Sequence, residues 1–557
     1  MEYTFKTPKG NYEEWDVYCE ELLIDKPSIN PVKCKLLNND VYIVDESGNI
    51  DIIRSSVREI IIPGVLVLEK NKKYGTRAGK YLYKCVPDDI RLPMFLIPYY
   101  PKMEFSKKFS NKYILFKFNN WKDKHPLGSI IEIFGDVKEV VNFYNYQLYC
   151  KNVYASIKPF NKNLMKKVKS KKIETHFDLI CKKYNIIDAT NLNNIFTIDP
   201  NDCTDFDDAV SIKEIKDGYL LSIYISNVAL WLDYFDVWEC FTTQVSTIYL
   251  PNSKRSMLPK ILSDNICSLV ENENRIALTL DITLDKDFNI IDKVFLNKII
   301  KVNYNFRYDT RVLKKSKKYK MLRNVVKELN KKYTYLNGIK DSHDVVSYLM
   351  IYMNYTSALE LKKNKCGLFR CMKMNNEMDT IDNVEISNFL KIWNSGGSNY
   401  SLHNNMTSHE MLKLDSYIHI TSPIRRLCDV LNMIWLQKVM GNELVSGSSK
   451  KFLEKWTRKE NIEHINKNMK SIRRVQSDCA LLSTCSKVNK AKYNGFIFEK
   501  EKKTEKYKYM VYIPELKLVN KYITHNDVEV FKMYEFKIYL FMDAIRLKQK
   551  IKLDIFK

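Results

Sequence analysis

Between residues 197 and 209 the chain reads TIDPNDCTDFDDA, which places Asp199, Asp202, Asp205, Asp207 and Asp208 within ten positions. Carboxylates crowded this closely repel one another and lose solvation when buried, so a cation is needed to hold them together. An all-oxygen donor set suits a hard ion, Mg²⁺ or Mn²⁺, rather than zinc. The protein around the loop is basic, with 90 Lys+Arg against 66 Asp+Glu and a net charge of +24. A carboxylate cage inside a basic protein points to metal-assisted chemistry on a phosphodiester.

The flanks argue against a merely solvated acidic loop. Ile195-Phe196-Thr197-Ile198 reads as a strand leading in, and Ala209-Val210-Ser211-Ile212 as a strand leading out. An EF-hand is excluded, because the sixth-position glycine and the terminal glutamate are missing. In extended backbone Asp205 and Asp207 face one way and Asp208 the other, an arrangement that could surround a metal pair.

Two further segments carry chemistry. Residues 417–429 read YIHITSPIRRLCD, and residues 246–269 read STIYLPNSKRSMLPKILSDNICSL. In the first, Thr421 or Ser422 is placed to cap a helix with Pro423 in its first turn, and Leu427, Val430, Leu431, Ile434 and Trp435 follow at helical spacing. Arg425 and Arg426 then fall in the first turn, where cations oppose the helix dipole unless an anion binds nearby. An ion pair with Asp429 is the structural alternative, and the spacing leaves both open.

The three segments, in this order, resemble the signatures of the RNB family of exoribonucleases, the type of RNase II, RNase R and the exosome catalytic subunit. The resemblance implies that Asp199, Asp205, Asp207 and Asp208 hold two metal ions, Mg²⁺ with Mn²⁺ as a substitute. Asp202 is less central and is left out. It implies catalytic roles for Asp207 and for Arg425, which would stabilise the scissile phosphate. Tyr249, Tyr308, Arg425 and Arg426 would contact RNA, the tyrosines by gripping and ordering its 3′ end. The implied activity is metal-dependent, processive 3′→5′ degradation of single-stranded RNA to nucleoside 5′-monophosphates.

Several positions depart from the family pattern. A Glu-Glu pair is replaced by Ser347-Tyr348 before Leu349-Met350, a His-Arg by Met433-Ile434, and a His and an Asp by Tyr224 and Asn227. These changes leave the aspartates intact but keep an alternative in view, a catalytically weak homologue acting as an RNA-binding or scaffold protein. A DNA nuclease is a weaker rival.

At 557 residues the chain is too long for one core, and three or four domains are expected. The fold class is α+β: an RNB catalytic domain flanked by N-terminal cold-shock-type OB β-barrels and a C-terminal OB-type β-barrel. Short apolar runs and turn signals place a first barrel in residues 1–90 and a second in 91–160, with Arg91-Leu92-Pro93 as the junction. The catalytic domain covers 161–490, entered through the basic run Lys166–Lys172, which reads as a linker. Residues 491–557 return to strands and form the C-terminal barrel.

Hydrophobic residues make up 45% of the chain and aromatic ones 12%, a globular composition. No apolar run approaches the roughly 18 residues of a spanning helix, and the first residues lack a signal peptide's apolar core. The 13 cysteines form no C-x-x-C pair and read as free thiols, and the eight histidines show no zinc spacing. The expected protein is an intracellular monomer, cytoplasmic rather than nuclear, whose partner is single-stranded RNA and not a membrane. Because the chain begins at the barrels, docking on an exosome core is not expected.

Overall fold

The computed structural model describes residues 1–24, 29–101, 109–192, 194–374, 383–395, 397–442, 447–487, 492–502 and 505–556. The chain divides into two compact units. The first comprises residues 1–154, 250–253 and 473–557, and the second 155–249 and 254–472.

The first unit is built from three antiparallel-rich sheets. Strands between Tyr3 and Ser55 form a five-stranded sheet. A β-barrel follows, running Ile62–Leu66, Lys112–Asn120, Leu127–Asp136, Phe95–Tyr99 and Lys80–Pro87, and closing because Lys80–Pro87 pairs back onto Ile62–Leu66. Gly64 makes the closure possible. A Cβ there would lie 2.9 Å from both Cys85 Sγ and the Phe116 ring, so the facing strands could not approach.

The barrel corrects the expected boundary at residue 90, which falls inside it. The apolar run at 62–66 finds its hydrogen-bond partners 46 and more residues later, on Lys112–Phe116. Arg91-Leu92-Pro93 is accordingly a connection between two strands of one barrel, not a junction between barrels. A five-stranded sheet over Lys492–Ile555 makes up the C-terminal part, as its strand-like runs predict. The boundary expected at 490 lies outside the described residues.

In the second unit a seven-stranded mixed sheet runs, in spatial order, Ile187–Asp188, Ile290–Lys301, Asn274–Asp285, Gly218–Ser226, Asp208–Ile215, Phe196–Asp199 and Tyr304–Arg307. Its long central strands carry an apolar row on one face. Leu221, Ile223 and Ile225 are fully buried, as are Leu278 and Leu280 opposite them on the neighbouring strand. The helix Val228–Tyr234 is capped by Asn227, whose side chain accepts from Leu230 N, and the long helix Ser342–Lys363 by Asp341, which accepts from Asp344 N. The basic run at 166–172 is not an open linker. It ends the helix Lys158–Val168 and turns into the helix Ile173–Tyr184, with Lys167 Nζ donating to the Asp236 carbonyl. Among the described residues no helix is long and apolar enough to cross a membrane.

Candidate active site

Asp199 ends one strand of the seven-stranded sheet and Asp208 begins the next, as the apolar flanks predict. Between them the backbone is a loop rather than an extended strand, so the simple alternation expected for Asp205, Asp207 and Asp208 does not apply. The loop is fixed from behind instead. Ser268 Oγ accepts from Phe206 N at 3.0 Å and donates to the Thr204 carbonyl at 2.9 Å. Leu269 N donates to the Phe206 carbonyl, and Ser226 N to the Asp207 carbonyl. The Cys267-Ser268-Leu269 end of the 246–269 segment is thus a clamp on the acidic loop.

The side chains of the loop are held from the front by cations and hydroxyls. Asp205 Oδ2 accepts from the Tyr249 hydroxyl at 2.8 Å, and its Oδ1 pairs with Lys254 Nζ at 3.1 Å. Lys254 also reaches Thr204 Oγ1 and Asp264 Oδ1. Asp207 Oδ1 accepts from Ile424 N, and its Oδ2 from Arg425 Nε, both at 2.9 Å. Arg425 is positioned on three sides. Its Nη2 donates to Ser422 Oγ at 2.7 Å, and its carbonyl accepts from Ser246 Oγ at 2.8 Å and Thr247 N at 3.0 Å.

The helix expected to begin near Ser422 begins at Leu427, with Arg426 as its cap residue. Residues 421–426 are occupied by a turn in which Arg425 N and Arg426 N both donate to the Ser422 carbonyl. Pro423 therefore sits in the turn, and Arg425 lies outside the helix. Arg426, expected to contact RNA, is turned inward. Its Nη2 donates to the fully buried Asp429 at 2.8 Å, and its side chain is 17% exposed against 41% for Arg425. Asp429 also accepts from Ser422 N at 2.7 Å, so the Arg426–Asp429 pair holds the turn that presents Arg425.

Burial dominates the electrostatics. It pushes the Asp207 carboxyl up to about 7, against Arg425 and the Ile424 N–H. It pushes Asp199 up to about 6, against Thr197 and Arg307. Asp208 is raised well above the usual range by burial and then by Asp199 and Asp207. Cys203, whose Sγ lies 3.8 Å from Asp199 Oδ1, is pushed up to about 12 by burial and the nearby aspartates. Asp202 is exposed at the outer edge of the loop.

The donor chemistry fits a hard divalent cation. Both oxygens of Asp205 and of Asp207 are engaged by protein donors, whereas Asp199 Oδ2 is buried and has no hydrogen-bond partner among the described residues. Asp199 raises the proton affinity of Asp208, and a cation between them would relieve that repulsion. Elsewhere among the described residues, His419, Cys428 and Asp429 bring three ligand atoms within 4.8 Å of one another. Asp429 there is already committed to Arg426 and Ser422 N, and His419 to the Tyr400 hydroxyl at 2.6 Å. A cation at that cluster would face the Arg426 guanidinium.

Of the two expected RNA-gripping tyrosines, Tyr249 is 40% exposed beside Asp205. Tyr308 N donates to the Asp199 carbonyl at 3.1 Å, and its ring lies flat on His343, with centroids 3.7 Å apart at 9°. All of the departures from the family pattern except Ser347 are absorbed by packing. Tyr224 is fully buried with its hydroxyl on Ser211 Oγ, and Asn227 donates to Asn297, which donates to Gln437. Tyr348 and Met433 are fully buried, and Ser347 is exposed. Lys254, Ser268 and His343 were not singled out in the sequence. Lys254 and Ser268 lie within the 246–269 segment, but their partners in the acidic loop are 49 to 64 residues away and leave no local spacing to read.

An acidic loop between two strands of a mixed sheet, clamped from behind and closed in front by an arginine turn, defines an RNB-type domain. Residues 187–334 match the RNB domain family. Among curated proteins the chain is similar to Ribonuclease R of Chlamydia trachomatis, 36% identical over 121 residues that cover 20% of this chain and 17% of that protein. It is also similar to Ribonuclease R of Buchnera aphidicola, 25% identical over 344 residues, 47% of each chain. The chain thus spans at most about half the length of these curated relatives. Among solved structures its fold is similar to that of Mycoplasma genitalium RNase R in complex with ribose methylated single-stranded RNA. The TM-score is 0.70 at 17% identity, with all of both chains covered. It is similar as well to yeast Ssd1, a pseudonuclease, with a TM-score of 0.59 at 13% identity over 96% of this chain and 80% of that one.

Proposed function

We propose that the protein is a metal-dependent 3′→5′ exoribonuclease that degrades single-stranded RNA processively to nucleoside 5′-monophosphates. The observation that carries this reading is the Asp207–Arg425 pair at the centre of the acidic loop. Asp207 is almost completely enclosed, yet its partner guanidinium keeps 41% of its side-chain surface open. Arg425 is therefore oriented by Asp207 and Ser422 and remains free to meet a phosphate. Asp199 and Asp208 are the residues that would hold Mg²⁺. Bound there, the ion would supply charge neutralisation at the phosphodiester and a more acidic water. Tyr249 presents an exposed ring beside Asp205, a surface on which a base can stack. The net charge of +24 supports a polyanionic partner.

The test uses 5′-labelled single-stranded RNA with Mg²⁺, wild-type protein and Asp207→Asn. Progressive 3′ shortening by the wild type alone supports the reading. Binding by both proteins with no cleavage in Mg²⁺ or Mn²⁺ overturns it in favour of a scaffold. That second reading draws on the fold likeness to yeast Ssd1 and on the packed positions Tyr224, Asn227 and Tyr348. The presence of all four aspartates and Arg425 favours the enzyme. A DNA strand of the same sequence distinguishes RNA from DNA hydrolysis. An intracellular, cytoplasmic location and a monomeric state are parts of the same proposal.

A further inference from the structure

Of the four aspartates in the loop, two already have a cation supplied by the chain itself. Asp207 is paired with Arg425, and Asp205 with Lys254. Thr197 and Arg307 act on Asp199, but among the described residues no lysine or arginine forms an ion pair with Asp199 or Asp208. Lys254 is no ordinary surface cation. Its Nζ lies 3.1 Å from Asp205 Oδ1, 3.0 Å from Asp264 Oδ1 and 2.9 Å from Thr204 Oγ1. Three oxygens from three residues thus converge on one ammonium and use all of its donors. The side chain is 20% exposed, and the backbone just beyond it is pinned. Gln244 Nε2 donates to the Arg255 carbonyl at 2.8 Å, and Met257 N donates to Thr247 Oγ1 at 3.1 Å.

We propose that Lys254 stands in the place of a second divalent ion, so that the acidic loop takes one Mg²⁺, at Asp199 and Asp208, and not the two that the sequence resemblance implies. The inference rests on reading the acidic loop as a cation site and sets how many ions that site takes. Two carboxylate oxygens and a hydroxyl are the hard donors that Mg²⁺ and Mn²⁺ accept, and either ion completes its shell with water. With the ammonium among them, that position holds a fixed positive charge, and a second ion would be repelled from it. Asp199 and Asp208, once ionised, carry the two charges that one divalent ion neutralises. Lys254 is a positioning residue. It acts through Asp205, whose charge it balances and whose orientation it fixes together with the Tyr249 hydroxyl on the other oxygen.

Mn²⁺ is the probe, because the free ion is counted by its electron paramagnetic resonance signal. The full chain is titrated as wild type, Lys254→Ala, Lys254→Ser and Lys254→Arg, each checked for folding by circular dichroism. The expected result is one bound ion in the wild type and in Lys254→Arg, which keeps the charge, and one more in Lys254→Ala and Lys254→Ser. In EDTA the Tm of Lys254→Ala should fall below that of the wild type, and Mn²⁺ should raise it by more. A folded Lys254→Ala that binds no more ions than the wild type overturns the proposal, and so does a wild type that binds two. The two readings fail separately. No ion in the wild type with one in Lys254→Ala removes the cation at Asp199 and Asp208 and leaves the role of Lys254. Equal counts together with Mg²⁺-dependent RNA shortening do the reverse.

Discussion

Arg425 Nε donates to Asp207 Oδ2 at 2.9 Å across 218 residues of sequence. The pair joins the acidic loop to the turn at 421–426, and Ile424 N on the other oxygen of Asp207 makes the junction two-pronged. A lysine at 425 could place one charge near Asp207 but could not also reach Ser422 and keep a planar edge open for phosphate. Arg425→Lys should therefore slow RNA hydrolysis by about 10²–10³-fold, the scale of losing one transition-state donor. RNA affinity should change little. Single-turnover rates and filter binding check this. A loss confined to affinity would assign Arg425 to RNA grip and not to the reaction.

Tyr308 gives one face of its ring to His343, so only the other face is free for a nucleobase. His343 is exposed and lies on the helix Ser342–Lys363. His343→Ala should release Tyr308 and lengthen the final oligonucleotide product or broaden its size distribution, whereas His343→Phe should keep the stack and the wild-type products. High-resolution gel analysis of limit digests decides the matter. Identical limit products from His343→Ala would remove the stack from any role at the RNA 3′ end.

The strands on either side of the acidic loop were legible because their apolar runs are local. The barrel boundary was not, because Ile62–Leu66 satisfies its backbone with Lys112–Phe116 and no local pattern records that pairing. The helix start at Leu427 was misread for a related reason. The cap signal Thr421-Ser422-Pro423 is real chemistry, but Asp429 takes the Ser422 N–H and Arg426, and the chain makes a turn before the helix begins. Arg425 and Arg426 are adjacent and alike in sequence. Only the three-dimensional neighbours separate an outward guanidinium from one spent on holding the turn.

The raised carboxyls make stability depend on pH and on cations in a definite direction. Burial pushes Asp207 up to about 7 and Asp199 up to about 6 in the folded state, against the ordinary carboxylate value of 3.8. Between those values the folded state holds protons that the unfolded state has lost, so stability from these groups is present at low pH and falls as pH rises from about 4 to 7. Each such group removes about 1.4 kcal/mol per pH unit crossed. In EDTA the Tm of the wild type should fall over this range more than that of Asp207→Asn. Mg²⁺ should restore most stability at the high end, where the carboxylates are ionised. Mg²⁺ stabilisation that is equal at pH 5 and pH 8 would dissociate the metal from these aspartates.

Within the first unit, Lys548 Nζ pairs with Asp88 Oδ1 at 2.6 Å, and the two side chains are 7% and 9% exposed. Asp88 follows the last residue of a barrel strand and Lys548 precedes the final strand of the C-terminal sheet, so one buried ion pair links two sheets of that unit. Removing one partner strands a charge in the interior, which costs about 3–5 kcal/mol, whereas removing both leaves an apolar contact that is close to neutral. Lys548→Met alone should lower the denaturation midpoint sharply, and Asp88→Leu with Lys548→Met should recover most of it. The double variant should also keep the wild-type RNA hydrolysis rate, since neither residue belongs to the unit that carries the aspartates. Urea titrations of the wild type, Lys548→Met, Asp88→Leu and the double variant measure the coupling directly. Additive effects of the two substitutions would mean that the pair contributes no mutual stabilisation.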